Sequence, residues 1–169
     1  MRTRREFRRI WNQALSDRRH WTVDDISRNV KSRNADSRLR ALFKMRGQLT
    51  TKPPQRYFSL AKGLLDDTDN DCRWQSLIVI GEYIHTRPLD VWPLIAKHGN
   101  SDDEDMRTAI ATVLLEHLLE NHFERFYSRV KREAIRSPMF ADTLSRCWPT
   151  WQSNRDGRKL KNVLQQVRR

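Results

Sequence analysis

The residues that could do chemistry fall into three groups. His117 and His122 stand with Glu116 and Glu120, a mixture that could ligate a metal. Their spacing does not match the His-x-x-x-His pair of a zinc helix, and a metal site needs three or four convergent ligands. Packing or helix capping is therefore the expected role, with His117 on the apolar side of its helix and no metal or other cofactor. His20, His85 and His98 stand alone. Asp102, Asp103, Glu104 and Asp105 form an acidic run that could hold a cation. It lacks the EF-hand pattern, and acids at a helix start are explained by the free N–H groups and dipole there. The third group is arginine. Arg2, Arg4, Arg5, Arg8, Arg9, Arg18 and Arg19 crowd the N-terminal segment, and Arg155, Arg158, Lys159, Lys161, Arg168 and Arg169 the C-terminal one. Arginine forks match phosphate oxygens, and clusters of them supply sequence-independent affinity for nucleic acid. The same clusters also suit a solvated face or an acidic protein partner.

The charge pattern sharpens that third group. Net charge is +12 over 169 residues. Residues 1–50 carry 14 bases and 5 acids, net +9; residues 51–120 carry 7 and 12, net −5; residues 121–169 carry 12 and 4, net +8. Two basic ends flank an acidic middle. The nucleic-acid-binding residues expected from this are Arg2, Arg5, Arg8, Arg9, Arg18, Arg19, Arg158, Lys159 and Lys161. The partner is DNA or RNA, or an acidic protein.

The composition excludes several classes. Two cysteines, Cys72 and Cys147, make neither a disulfide framework nor a thiolate metal site, and a reduced, cytoplasmic setting is the default. No apolar run reaches the ~20 residues of a membrane span. The Arg-rich start lacks a signal peptide's apolar core, and Glu6, Asp17, Asp24 and Asp25 count against an organellar presequence. No Gly-rich phosphate loop and no nucleophile elbow is present. Six tryptophans (Trp11, Trp21, Trp74, Trp92, Trp148 and Trp151) are expected mostly in the core, where large rings fill gaps; the alternative is stacking on a base or ligand.

The elements that must position these residues are helices. Glycine is scarce, at 5, and apolar residues recur at helical period nearly throughout. Thr22, Asp36, Asp69, Ser101 with Glu104, and Ser137 are the expected helix starts; Pro53 with Pro54, and Pro88, open others, and Pro93 should kink or delay its helix. The helix containing "WQSLIVIGEYI" should be buried on most sides. The fold class is all-α. A phrase also repeats. Asp69-x-x-x-Arg73 and Asp103-x-x-x-Arg107 lie 34 residues apart, with Asp71 matching Asp105, and Asp36-x-x-x-Arg40 precedes them by 33. One such helix pair cannot bury its own apolar face; stacked copies can.

This pattern resembles HEAT repeats, which pair antiparallel helices with Asp and Arg at the head of one and proline ahead of the other. "PLDVWPLIAKHGNSDDEDMRTAIATVLLEHL" carries the resemblance best. It implies an α–α superhelix of stacked hairpins forming a single domain over 1–169, with a repeat core at about 36–136 and basic helical caps at 1–35 and 137–169. Because Arg73 and Arg107 recur in register, which a unique active site would not require, they are expected to be structural, facing neighbouring repeats rather than a ligand. The function implied is that of a non-enzymatic binding module, contacting nucleic acid or a protein through its basic terminal helices and a concave surface. The chain is also similar to the HEAT-like alkylpurine DNA glycosylases in being basic, helical and Trp-rich, and Arg107 in "MRTAI" resembles their groove arginine. That resemblance implies an alternative function in DNA repair, the excision of alkylated bases, with Asp90, Trp92 and Arg107 as candidate catalytic residues. The family's Trp-Asp pair has no counterpart: Trp92 is followed by Pro93, and Asp90 precedes it.

Overall fold

The computed structural model describes residues 2–17, 21–49, 54–147 and 154–167. Arg18, Arg19, His20, Pro53, Trp148, Trp151, Arg168 and Arg169, singled out above, lie outside the described residues. The fold is all-α, and the described residues contain no strand. None of these helices is long and apolar enough to cross a membrane. The backbone forms two compact units, Met1–Tyr83 and Ile84–Arg169.

The first unit contains α1 (Arg4–Ser16), α2 (Val23–Val30), α3 (Ala35–Gly47), α4 (Gln55–Lys62) and α5 (Asn70–Gly81). Helix α3 packs against α1, α2 and α5, so apolar residues must surround it. Leu39, Ala41, Leu42, Phe43 and Met45 are accordingly all buried. Helix α5 is likewise enclosed through Cys72, Ser76, Leu77, Val79 and Ile80, as its sequence predicts. On α1 only Ile10 and Ala14 are buried, because that helix has one neighbour layer and presents the rest to water.

The second unit contains α6 (Pro88–His98), α7 (Glu104–Ala109), a π-helical turn (Ile110–Leu115), α8 (Glu116–Arg136), α9 (Pro138–Ser145) and α10 (Asn154–Val167). Helix α7, the π-helical turn and α8 run on without a loop. Helix α8 breaks at His122, whose φ of −142° and ψ of 33° are not helical. The His122 ring nitrogen Nε2 lies 3.0 Å from the Ile84 carbonyl oxygen, which anchors the break. Neither glycine nor proline marks it, so the sequence does not announce it. Helix α6 contains Pro93 within its span. Its end at Gly99 passes so close to α9 that an added Cβ would lie 3.0 Å from the Phe140 ring. There the Thr143 hydroxyl donates to the Gly99 carbonyl at 2.6 Å.

The helix starts show both agreement and correction. Thr22 caps α2, Asp69 caps α5 and Ser137 caps α9, as predicted. Helix α3, however, is capped by Asn34, and Asp36 lies two residues inside it. An amide oxygen accepts the free N–H groups as a carboxylate does, so a motif written with aspartate alone passes over this cap. Helix α7 is capped by Asp103 rather than Ser101; the Ser101 hydroxyl accepts from the Asp103 N–H at 3.1 Å. The caps Asn34, Asp69, Asp103 and Ser137 are thus spaced by 35, 34 and 34 residues. Four residues after the first three stand Arg38, Arg73 and Arg107. The repeated pair is therefore Asn34 with Arg38, not Asp36 with Arg40.

Each of these arginines closes back on its own helix head. Arg38 donates to the carbonyls of Ser32 and Arg33, at 2.8 and 3.0 Å. Arg73 donates to the carbonyl of Asp67 at 3.0 Å. Arg107 donates to those of Ser101 and Asp102, at 2.7 and 3.1 Å. Arg38 and Arg107 also reach a carboxylate farther along the chain: Arg38 bonds Asp67 through Nε and Nη2, at 2.7 and 2.8 Å, and Arg107 bonds Asp142 at 2.8 Å. A cap, a guanidinium and a neighbouring acid together satisfy the polar groups that a buried helix start would leave open.

Candidate functional site

The arginines of the first unit divide by whether a carboxylate answers them. Arg2 is fully answered. Its guanidinium donates to Asp36 at 2.8 Å, Asp69 at 2.6 Å and Asp71 at 3.2 Å, and only 13% of the side chain is exposed. Burial opposes the Arg2 charge, but the bonds to Asp69, Asp36 and Asp71 outweigh it and raise its pKa. Arg2 is therefore a clamp across the heads of α3 and α5, with its donors engaged inward.

The clamp predicts an acid sensitivity. Burial alone would push the Asp69 carboxyl up, but the Arg2 bonds and the Cys72 amide hold it below the ordinary carboxylate range. Hydrogen bonds from Arg146, and then, against a smaller effect of burial, from Arg107, lower Asp142. A carboxyl depressed in the folded state stabilises the protein fully above its unfolded pKa of about 4, and that contribution disappears as pH falls through the depressed value. Stability should therefore drop on acidification from about pH 5 to below 4. Urea unfolding of Arg2→Ala across that range should show a shallower decline than the parent; parallel curves would refute the assignment to the clamp.

Farther along α1 the arginines are unanswered. Arg4, Arg5 and Arg8 are exposed, and among the described residues none has a carboxylate partner. Arg9, with 61% of its side chain exposed, reaches Asp36 only at 3.5 Å. Asn12 and Gln13 continue the same open face. The capping box of Thr3 with Glu6 starts the helix and draws Glu6 back onto the Thr3 N–H at 2.8 Å, so the acid of the first turn faces its own cap. Beside this face runs an open groove of about 340 Å³ lined by Arg4, Phe7, Arg8, Trp11, Arg46 and Gln75. Its floor is aromatic: Trp11 and Phe7 meet the Phe43 ring edge-to-face at 4.7 and 5.4 Å. Arg46 lies 5.5 Å over Trp11 and is held there by Gln75 at 3.0 Å. No carboxylate is among these lining residues. Positive charge beside aromatic rings is the chemistry that single-stranded nucleic acid grooves use.

In the second unit the predicted residues separate. Arg158 and Lys161 are exposed on α10, and so is Arg155. Lys159 instead bonds Glu124 at 2.8 Å and lies over the Phe123 and Tyr127 rings at 5.2 and 5.3 Å. It fastens α10 to α8. Arg125, Arg129 and Arg132, not among the residues expected from the sequence, are all exposed on α8, and their spacing of four and three residues places them on one face.

Asp90, Trp92 and Arg107 are not brought together by any shared contact. Asp90 pairs with Arg87 at 2.6 Å. Trp92 packs on Phe126 and Phe140, with ring centroids 5.9 and 6.1 Å away. Arg107 is engaged at the head of α7, as described. His117 is exposed rather than on the apolar side, because the π-helical turn before it shifts the register by one residue. The described tryptophans, Trp11, Trp21, Trp74 and Trp92, are half-buried instead of forming the core. Trp21 shows why: its indole N–H needs a partner and donates to Asp17 at 3.0 Å. Burial raises the pKa of both cysteine thiols, so neither presents a reactive thiolate.

Comparison with known families, curated proteins and solved structures found no match.

Proposed function

We propose that this chain is a non-enzymatic, HEAT-like helical module that binds nucleic acid through its phosphate backbone, with α1 as the contact helix. The observation that carries the reading is the contrast along the first unit. Where a carboxylate is within reach, as at Arg2 and Arg38, the arginine is paired. On the outer face of α1, Arg4, Arg5 and Arg8 stand without one. Three uncompensated guanidiniums on one helix face repel each other and favour a polyanion that supplies the missing charge. The groove beside them, with Arg46 over Trp11, offers an unpaired base a cationic and aromatic surface. Nothing in this arrangement reads base edges, so specificity should be low.

The test is titration of DNA and RNA at two salt concentrations with the parent chain and with Arg4, Arg5 and Arg8 changed together to Ala. Neutralised phosphates release counterions, so affinity should fall with salt at a log–log slope of about −0.9 per phosphate on duplex DNA. The variant should bind more weakly, with a slope shallower by about 0.9 for each phosphate it no longer neutralises. No binding at low salt, or an unchanged slope in the variant, overturns the reading. So does capture of an acidic peptide in preference to nucleic acid.

A further inference from the structure

The face of α8 beyond its break at His122 carries a second row of arginines, three of them uncompensated. Arg125, Arg129, Arg132 and Arg136 recur at intervals of four, three and four residues. At 100° per residue they occupy about 60° of arc, and at 1.5 Å per residue they extend about 17 Å along the helix. All four are exposed. The carboxylates that could answer them are engaged elsewhere. Glu124 holds Lys159 at 2.8 Å, and Glu133 accepts from Asn100 at 3.0 Å while pairing with the end residue Arg136. Among the described residues Arg125, Arg129 and Arg132 therefore have no anionic partner.

These heads are also oriented. Arg125 and Arg129 lie 5.9 and 5.7 Å from the centroid of the Phe126 ring, which is fully buried. An aromatic ring beneath two guanidiniums fixes their stems and lowers the entropy lost when they are ordered by a ligand. Elsewhere in the same unit, Arg107 and Arg146 share Asp142, and Arg146 also reaches Glu104. The unit thus contains both kinds of arginine, and the α8 stripe is the unpaired kind.

We infer that this stripe is a second phosphate-backbone site, which makes the chain bivalent for nucleic acid: one surface on α1 and an independent one on α8. At 3.4 Å per nucleotide along a duplex strand, the ~11 Å of helix from Arg125 to Arg132 spans about three phosphates. The inference rests on the proposed function for its ligand class, but not on α1 for its residues. Bivalence changes the behaviour on long polymers. A second contact made by an already bound chain is intramolecular, so a long strand should be held far more tightly than a short one, or two strands brought together.

The experiment measures stoichiometry. A duplex of about 10 base pairs, roughly 34 Å long, is titrated into the intact chain at low salt, and bound oligonucleotides per chain are read by calorimetry and by native mass spectrometry. Two per chain are expected for the parent. Arg125→Gln, Arg129→Gln and Arg132→Gln together should leave one, with the affinity of the α1 site unchanged; the α1 triple variant should also leave one. Gln keeps much of the stems of residues 125 and 129 over Phe126, and an unchanged melting temperature checks the fold. Replacing the same three residues by Lys keeps the charge but removes the fork, so binding should persist at reduced affinity. If the α1 variant has no effect while the α8 variant abolishes binding to the one remaining site, the α1 reading fails and the α8 site stands. One oligonucleotide per parent chain that the α1 variant removes and the α8 variant leaves, or an α8 variant indistinguishable from the parent, overturns the inference.

Discussion

Replacing Arg38 by Ala should lower the unfolding free energy by about 3–5 kcal/mol, the range for breaking one side of a buried ion pair. The Arg38 and Asp67 side chains are only 12% and 7% exposed. Removing the guanidinium leaves an almost completely buried carboxylate without its two hydrogen bonds. It also frees the carbonyls of Ser32 and Arg33 at the head of α3. The Asp67 carboxylate would retain the Asp69 N–H at 2.8 Å, too little to balance a buried charge. Urea unfolding measures the effect directly. The double variant Arg38→Ala with Asp67→Ala should recover part of it, because the orphaned charge is gone. A single-variant change under about 1 kcal/mol would show that water reaches Asp67 freely. As a comparison, the exposed pair Arg56–Asp24, at 55% and 75%, should contribute no more than about 1 kcal/mol.

Phe126→Ala should destabilise the chain by about 3–5 kcal/mol. The ring is wholly buried and meets Trp92 at 5.9 Å and His122 at 6.3 Å. It thus joins α6, the break in α8 and the straight segment beyond it. Truncation would open a cavity where three elements converge, and the surroundings relax only partly around such a void. Equilibrium unfolding should show a lower midpoint with the denaturant slope retained. A change below about 1.5 kcal/mol would mean that the site collapses. Phe126→Leu, which keeps much of the volume, should lie between the two.

Helix existence was legible in the sequence because apolar period and cap residues agree along most of the chain: Thr22, Asp69 and Ser137 start the helices expected of them. The repeat was legible too, at its true spacing only where the cap is aspartate. The Asn34 head is hidden because Asn and Asp accept the same N–H groups but look different in a motif. The π-helical turn and the break at His122 have no local signature; both are set by packing, the latter through the Ile84 carbonyl. For the basic surfaces, composition located the clusters but could not sort them. Arg2 and Lys159 look like Arg5 and Arg158 in the sequence. Only the fold reveals that Asp36, Asp69 and Asp71 converge on the first and Glu124 on the second. The stripe on α8 is hidden in the sequence because Glu124 and Glu133 dilute its local charge, although Glu124 turns to Lys159 and Glu133 to Asn100 and the end residue Arg136.

The recurring helix head has a consequence for how such a chain changes length. Asn34 with Arg38, Asp69 with Arg73, and Asp103 with Arg107 put the same cap and the same carbonyl-seeking guanidinium at intervals of 35 and 34 residues. A segment cut from one head to the next begins and ends on the same chemistry. Copying or deleting it as a block would join each helix start to a predecessor of familiar form, whereas a cut of any other length would strand an arginine or a cap. The head is thus a natural junction for tandem duplication, and it makes insertion or removal of whole blocks the gentlest route by which a longer or shorter relative could arise.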